Sequence, residues 1–319
     1  MSAVTAEAIP PSGIEPATAT GSLRHYWHLT LELAISQFKL RYTQSILGYV
    51  WSLLKPAMYF GITYVIFVDL FHVNDGTPHY GIQILLGIVV WTFFSECTAT
   101  AMGAVAGSAG LIRKAYFPRS ILVVAASFTS LFTFVINLSL VIVIGAAIGQ
   151  ISLGVQSLAA IPLLIELYVL ALGIAFFLAS LHVQFHDVGH LWEVFTNLLF
   201  YGSGVMFSLT YVLQRAHFAG VVTTSSIPAH ALPAKFTWVV DIVAANPIMQ
   251  VIEDLRHALV TPVAPWTFSV VTGHLAAVGQ VHPLNASWDA LAPYALVVVI
   301  FGAGALTYRA RSRYFAQNL

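Results

Sequence analysis

The chain is 319 residues long, 58% apolar and only 8% Asp, Glu, Lys or Arg, and its 13 basic and 13 acidic residues cancel. A soluble globular chain carries about 25% charged residues, so this one has too little polar surface to cover a core of its size. These figures exclude an ordinary soluble enzyme, a disordered chain and a nucleic-acid binder, which needs a basic stripe against the phosphates. They describe a membrane protein. The single cysteine, Cys97, excludes an intramolecular disulfide and a thiolate metal cluster, and reads as a small buried hydrophobe.

In chain order, residues 1–22 hold no Lys or Arg and are punctuated by Pro10, Pro11, Gly13 and Pro16. They lack the basic start and apolar run of a signal peptide and read as a disordered cytoplasmic tail. Residues 23–50 predict an amphipathic helix. Ile35, Phe38, Tyr42, Ile46 and Tyr49 make an apolar stripe, with Glu32, Ser36, Lys39 and Thr43 opposite. Such a helix suits the headgroup plane, with Lys39 and Arg41 beside anionic membrane lipid. A helix packed on another subunit is the alternative.

A span needs about 20 predominantly apolar residues, and six stretches qualify: 51–71, 80–105, 120–148, 157–181, 191–212 and 291–308. Gly149 and Gly154 bracket the turn between the third and fourth. Residues 51–212 thus hold five spans, with loops at 106–119 and 182–190. Residues 213–289 form a long outer region, and 290–319 the last span and a basic tail. The charge-free stretch 263–288 is broken by Pro265, Gly273, Gly279 and Pro283, and does not make a seventh span. The N-terminal segment, the two loops and the tail carry ten of the thirteen basic residues, which places both termini in the cytoplasm. Within the outer region, 246–260 predicts a helix capped by Asn246, with Pro247 in its first turn. Ile248, Ile252, Leu255 and Leu259 form its apolar face, which lies on the outer membrane surface or dips partly into it.

Motifs of catalysis are missing. There is no G-x-x-x-x-G-K-[ST] phosphate loop, D-x-D, H-E-x-x-H or G-x-S-x-G. His182, His186 and His190 would share one face and suit zinc if a single helix ran through them. Gly189 and an expected turn interrupt that helix, so no metal site is assigned. Glu96 and Glu166 lie in or near spans, where an ionisable group is costly. Pairing with a neighbouring helix would explain Glu96, and closeness to the outer interface would explain Glu166. Gly103/Gly107 and Gly145/Gly149 give G-x-x-x-G spacings that permit close helix contact. The rings of Tyr59, Tyr64, Trp91, Phe94, Phe200 and Tyr201 suit either lipid and core packing or an aromatic-lined translocation path. Arg113, Lys114, Tyr116, Phe117, Pro118 and Arg119 form a basic, aromatic loop too short to hide its rings. Such a loop fits a docking knob for a partner subunit.

Residues 41–56, Arg-Tyr-Thr-Gln-Ser-Ile-Leu-Gly-Tyr-Val-Trp-Ser-Leu-Leu-Lys-Pro, resemble the R-Y-x-x-S-x-L-G-x-x-W-x-x-L-x-P signature of polysaccharide and polyol-phosphate export permeases. These are membrane subunits of type-2 ABC transporters, the exporters of O-antigen, teichoic acid or galactan. Residues 113–119 resemble that family's R-K-x-x-F-P-R loop. Asn246 and Pro247, with Glu253 and Arg256, resemble its N-P-x-x-x-x-x-E-x-x-R element, and the similarity runs over about 25–310. The resemblance implies an all-α membrane protein with six transmembrane helices, an N-terminal interfacial helix and external helices before the last span. It implies a homodimer in the bacterial cytoplasmic membrane, without a cofactor of its own. Two copies of a separate ATPase would bind ATP and Mg, and the substrate would be a lipid-linked polysaccharide. The 113–119 loop and the turn at His186 and Asp187 would transmit ATPase closure, while Asn246, Pro247, Glu253 and Arg256 would belong to an external gate. The chain departs from the pattern at His186, where relatives carry Arg before the Asp, and in its long 213–245 segment. A membrane-embedded glycan- or lipid-modifying enzyme, an ion-coupled carrier, and an ABC exporter of drugs or simple lipids are the rival readings.

Overall fold

A computed structural model describes residues 19–43, 50–66, 79–114, 117–207, 246–260, 292–312 and 315. The tail 1–18, Tyr116 and most of 213–289 lie outside the described residues. All regular structure among the described residues is helical. The elements are α1 (Ala19–Thr43), α2 (Val50–Tyr64), α3 (Tyr80–Gly107), the short α4 (Ala109–Lys114), α5 (Ser120–Ala147), α6 (Ala160–His182), α7 (Val188–Gly202), α8 (Pro247–Leu259) and α9 (Ala292–Arg311). A 3-10 turn, Val155–Ala159, leads into α6.

Four helices are long and apolar enough to cross a membrane: Tyr80–Gly107, Ser120–Ala147, Ser157–His182 and Pro293–Arg311. Short connections make α3, α5 and α6 antiparallel neighbours in turn. α3 packs against both α5 and α6, and α6 against α9. Ile84, Leu86 and Phe94 of α3 meet Leu167 and Leu170 of α6 in the buried centre.

Two expected spans are shorter than the rest. α2 and α7 have 15 residues each, about 22 Å at 1.5 Å per residue, against about 30 Å of hydrocarbon. The fifth span, expected to reach residue 212, instead stops at Gly202. Gly204 takes φ 66°, the left-handed conformation that ends helices and suits glycine. A Cβ there would also lie 2.8 Å from the sulfur of Met249 in α8. The chain from Ser203 to Phe207 is non-helical.

α1 packs against α5. Trp27 meets the edge of Phe128 at 5.6 Å, the Ala34 carbonyl accepts from the Thr129 hydroxyl at 3.3 Å, and Phe38 meets Phe132 at 5.8 Å. The packing face differs from the expected stripe: Thr30 and Ala34 are buried, and Ile35 is exposed. Small side chains let the two backbones approach, which the branched Ile35 would prevent.

The G-x-x-x-G pairs are not the helix contacts. Among the described residues nothing lies near a Cβ built on Gly103, Gly107 or Gly149, and Gly145 is filled by Ile151 from its own connection. Close approach occurs instead between α6 and α9. A Cβ on Gly173 would lie 2.6 Å from the Phe301 Cα, and one on Gly304 would run into the Gly173 carbonyl. Two helices without side chains at the crossing gain backbone-to-backbone dispersion contact. Gly304→Val should force them apart at a cost of about 1–3 kcal/mol. The check is a melting temperature lowered by several degrees in detergent; an unchanged value would mean that α6 and α9 do not touch there.

Candidate functional site

Polar side chains gather at the two ends of the long helices. The basic end is formed by the C-termini of α3, α6 and α9 and the N-terminus of α5. Arg113 and Lys114 close α4, and Phe117, Pro118 and Arg119 lead into α5. Arg119 donates to the backbone carbonyl of Ser312, just beyond α9. Arg311, in the last turn of α9, donates to the Gln184 side chain at 3.3 Å. The tail of α9 therefore holds both segments that the sequence singles out, and Gln184, Arg311 and Ser312 join the site. Their only sequence signal is a run of alternate arginines, which reads as a membrane anchor.

His186 and Asp187 are exposed in the turn between α6 and α7, where the Asp187 carbonyl accepts from Leu191 at 3.1 Å. That turn also interrupts the single helix on which the zinc reading depends. α6 stops at His182 and α7 starts at Val188, so the three histidines do not line one helix face. No group of three His, Cys, Asp or Glu able to hold a metal occurs among the described residues. Glu96 of α3 forms an ion pair with Arg41 of α1. It joins a partly exposed pair between neighbouring helices, of modest energetic weight.

At the opposite end stands α8. The Asn246 side chain accepts from the Ile248 N–H at 3.0 Å, capping the helix, and donates to the Gly202 carbonyl and the Ser203 hydroxyl, each at 3.2 Å. One amide thus starts α8 and fastens it to the end of α7, while Pro247 supplies the fixed φ of a first turn. Ile248, Ile252, Leu255 and Leu259 are buried as expected, but so is the polar face. Glu253 and Arg256 are 3% exposed and Asp254 5%. α8 is therefore inside the molecule, against α3, α6 and α9, and not on its outer surface.

Arg256 explains why. Its guanidinium donates to the carbonyls of Gln83 (3.2 Å), Val205 (2.8 Å) and Phe207 (3.1 Å) and to Glu253 (3.2 Å). Two of those carbonyls belong to the non-helical stretch after α7, where no helix engages them. Gly87 makes room, since a Cβ there would lie 3.0 Å from both the Arg256 nitrogen and the Val205 oxygen.

Beside this lock, the Gln250 amide donates to Asp254 at 2.7 Å and to the Tyr294 hydroxyl of α9 at 3.2 Å. Glu166 of α6 adjoins both Gln250 and Asp254. One oxygen each of Glu166, Gln250 and Asp254 is buried without a partner among the described residues. Burial, helped by the charge of Glu253, pushes the Asp254 carboxyl up to about 7, although the Gln250 hydrogen bond opposes this. Burial likewise pushes His257 down, with Glu253 at 3.8 Å opposing.

The aromatic residues form a connected series. Phe94 contacts Trp91 at 5.6 Å, Trp91 contacts Phe200 at 5.5 Å, and Phe200 touches Tyr201 at 5.4 Å and Tyr59 at 6.1 Å. The first three are buried, while Tyr59 and Tyr201 are 56% and 68% exposed on neighbouring faces of α2 and α7. Tyr64 stands apart, against Phe60 at 5.5 Å and over Gly81.

Residues 28–216, more than half of the chain and covering nearly all of α1 through α7, match the family model of the ABC-2 type transporter. The chain belongs to this family. It is therefore a multi-pass membrane transport component and not an enzyme. It is similar to the O-antigen export system permease protein RfbA of Myxococcus xanthus, 27% identical over 190 residues, 60% of this chain and 72% of that protein. Two O-antigen export system permease proteins RfbA of Klebsiella pneumoniae are 22% identical over 236 residues and 21% over 248. These cover 74% and 77% of this chain and 81% and 86% of theirs.

The buried charges of this ABC-2 component can be tested directly. Arg256→Met leaves Glu253 charged and three carbonyls unserved in a dry site, a loss of about 3–5 kcal/mol. Adding Glu253→Gln should recover part of the lost melting temperature; no recovery would mean that the pair is not coupled. Asp254 packs as the neutral acid. Below about pH 3 the packed and detached forms are both protonated; as pH rises from there to about 7, only the detached carboxylate ionises, so α8 is held progressively less firmly. Amide hydrogen exchange across 247–259 should accelerate over that interval beyond its intrinsic pH dependence. Asp254→Asn should remove the excess.

Proposed function

We propose that this chain is the permease half of an ABC exporter that carries a lipid-linked polysaccharide across the bacterial cytoplasmic membrane. The observation that carries the reading is the double tie of α9, through Arg119 to Ser312 and Arg311 to Gln184. It joins two loop segments that a partner ATPase would push to a long helix running to the other end. The relatives' role in O-antigen export favours a glycan as cargo. Ten of thirteen basic residues at one side favour a cytoplasmic position for that side and for both termini. In this reading, the six expected membrane segments include the short α2 and α7, and α1 lies in the headgroup plane.

The chain works as a homodimer beside two ATPase subunits, which bind ATP and Mg. An exposed apolar face shared by α2 and α7, with Met58, Tyr59 and Ile62 on one and Val194, Leu198 and Tyr201 on the other, supports a second copy there. ATPase closure acts on Phe117 and on the turn at His186 and Asp187. It shifts α9 and α6 together, because they are seated on one another at Gly173 and Gly304. The α2 and α7 faces then part, and the glycan moves past Tyr59 and Tyr201 toward the end that α8 closes.

Reconstitution with the partner ATPase in vesicles tests this. Phe117→Ala and Tyr116→Ala should each lower ATP-driven export of a lipid-linked glycan by about tenfold, a coupling of ordinary size, while ATP hydrolysis continues. Unchanged export would sink the coupling role. Glycan modification without nucleotide would point to an enzyme, and equal movement of simple lipids to a lipid exporter.

A further inference from the structure

The basic end contains a cavity of about 680 Å³ between α1, α4, the start of α5, α6 and α9. Its walls are apolar at Ile112, Phe117 and Phe176 and cationic at Arg119 and Arg309, and no Asp or Glu among the described residues lines it. Tyr308 also lines it. That residue is 5% exposed, and its hydroxyl is buried without a hydrogen-bond partner among the described residues. A phenol buried dry costs free energy unless something accepts from it or donates to it. The Arg309 guanidinium makes no hydrogen bond or ion pair among the described residues, and Arg119 spends one nitrogen on Ser312. The N-terminus of α5, with its partial positive charge, opens at Ser120 onto the same space.

We infer that this cavity is a binding site for the phosphate headgroup of an anionic phospholipid. Two guanidinium groups present donors to phosphate oxygens, and charge-assisted hydrogen bonds of this kind are the strong ones. The apolar walls suit the glycerol and upper acyl carbons. A zwitterionic headgroup would bring a second cation into a cavity that has no acid to receive it. The position fits as well, since the lining residues come from the ends of α5 and α9, where membrane-crossing helices meet the headgroup layer. Free inorganic phosphate shares the chemistry, but it has no use for three apolar walls. The site stands apart from the export reading: it needs only these helix ends at a membrane boundary. A lipid seated there would contact Phe117 and Arg119 directly and so bear on the loop next to them.

The test is native mass spectrometry of the full-length protein, delipidated and titrated with phosphatidylglycerol or phosphatidylcholine. Wild type should retain one phosphatidylglycerol per chain in preference to phosphatidylcholine. Arg309→Gln and Arg119→Gln should each weaken that retention by about tenfold, the loss expected for one charge-assisted bond. Equal retention of the two lipids, or retention unmoved in both variants, overturns the assignment. So does a thermal shift by inorganic phosphate alone that both variants abolish, which would make this a free-phosphate site. Variants that keep phosphatidylglycerol but no longer assemble with an ATPase subunit would make it a protein contact instead.

Discussion

A chain that ends a helix inside a packed interior must find new partners for the carbonyls that the missing turn no longer engages, because a buried carbonyl left unpaired is costly. α7 ends in this way at Gly202, and the next carbonyls, of Val205 and Phe207, are met by Arg256. A guanidinium is the one side chain with enough donors in a fixed plane to serve several carbonyls and a carboxylate together. Its own burial is made tolerable by Glu253 one turn earlier, and its space by Gly87. The rest of the end follows from that arrangement. α8 must be inside, since its third turn carries the arginine, and its cap must reach the broken end of α7, as Asn246 does.

The two ends are joined by stiff elements rather than by loops. α9 presents Tyr294 to Gln250 at one end and Arg311 to Gln184 at the other. Its middle is seated on α6 where neither helix has a side chain, which leaves little room for the pair to slide. α6 in turn brings Glu166 to the α8 cluster and ends at the turn containing His186. A displacement of the basic end therefore meets α8 through two helices already in backbone contact. Packed interiors transmit such shifts because they have few voids to absorb them.

Much of this was legible in the residues and some was not, for physical reasons. The four long spans are visible because uncharged apolar runs have no other stable place. The Asn246-Pro247 start and the apolar face of α8 follow from capping and spacing. The burial of its polar face does not, because that depends on carbonyls about 50 residues away. The end of α7 at Gly202 was hidden by an apolar sequence that continues past it. The glycines in contact escaped because G-x-x-x-G describes one helix, whereas Gly173 and Gly304 make a close approach only as a pair. Of the aromatic set, spacing could identify rings but not separate the buried Trp91, Phe94 and Phe200 from the exposed Tyr59 and Tyr201.

The formal charge of zero conceals a polarity along the molecule. Two of the intramolecular charge pairs, Arg256 with Glu253 and Arg41 with Glu96, are self-contained. What remains near α8 is acidic: Asp254 and Glu166 share a buried pocket whose nearest cation, Arg256, is committed to Glu253 and to carbonyls. At the other end Arg309 faces a cavity that no acid among the described residues lines. An inside-negative membrane potential and an anionic inner leaflet both favour cations on the inner side, so the orientation proposed for the chain would also suit these residual charges. Burial first, and the charge of Glu253 after it, makes Asp254 hold its proton toward neutrality, while Arg309, without an ion pair among the described residues, stays available to an anion.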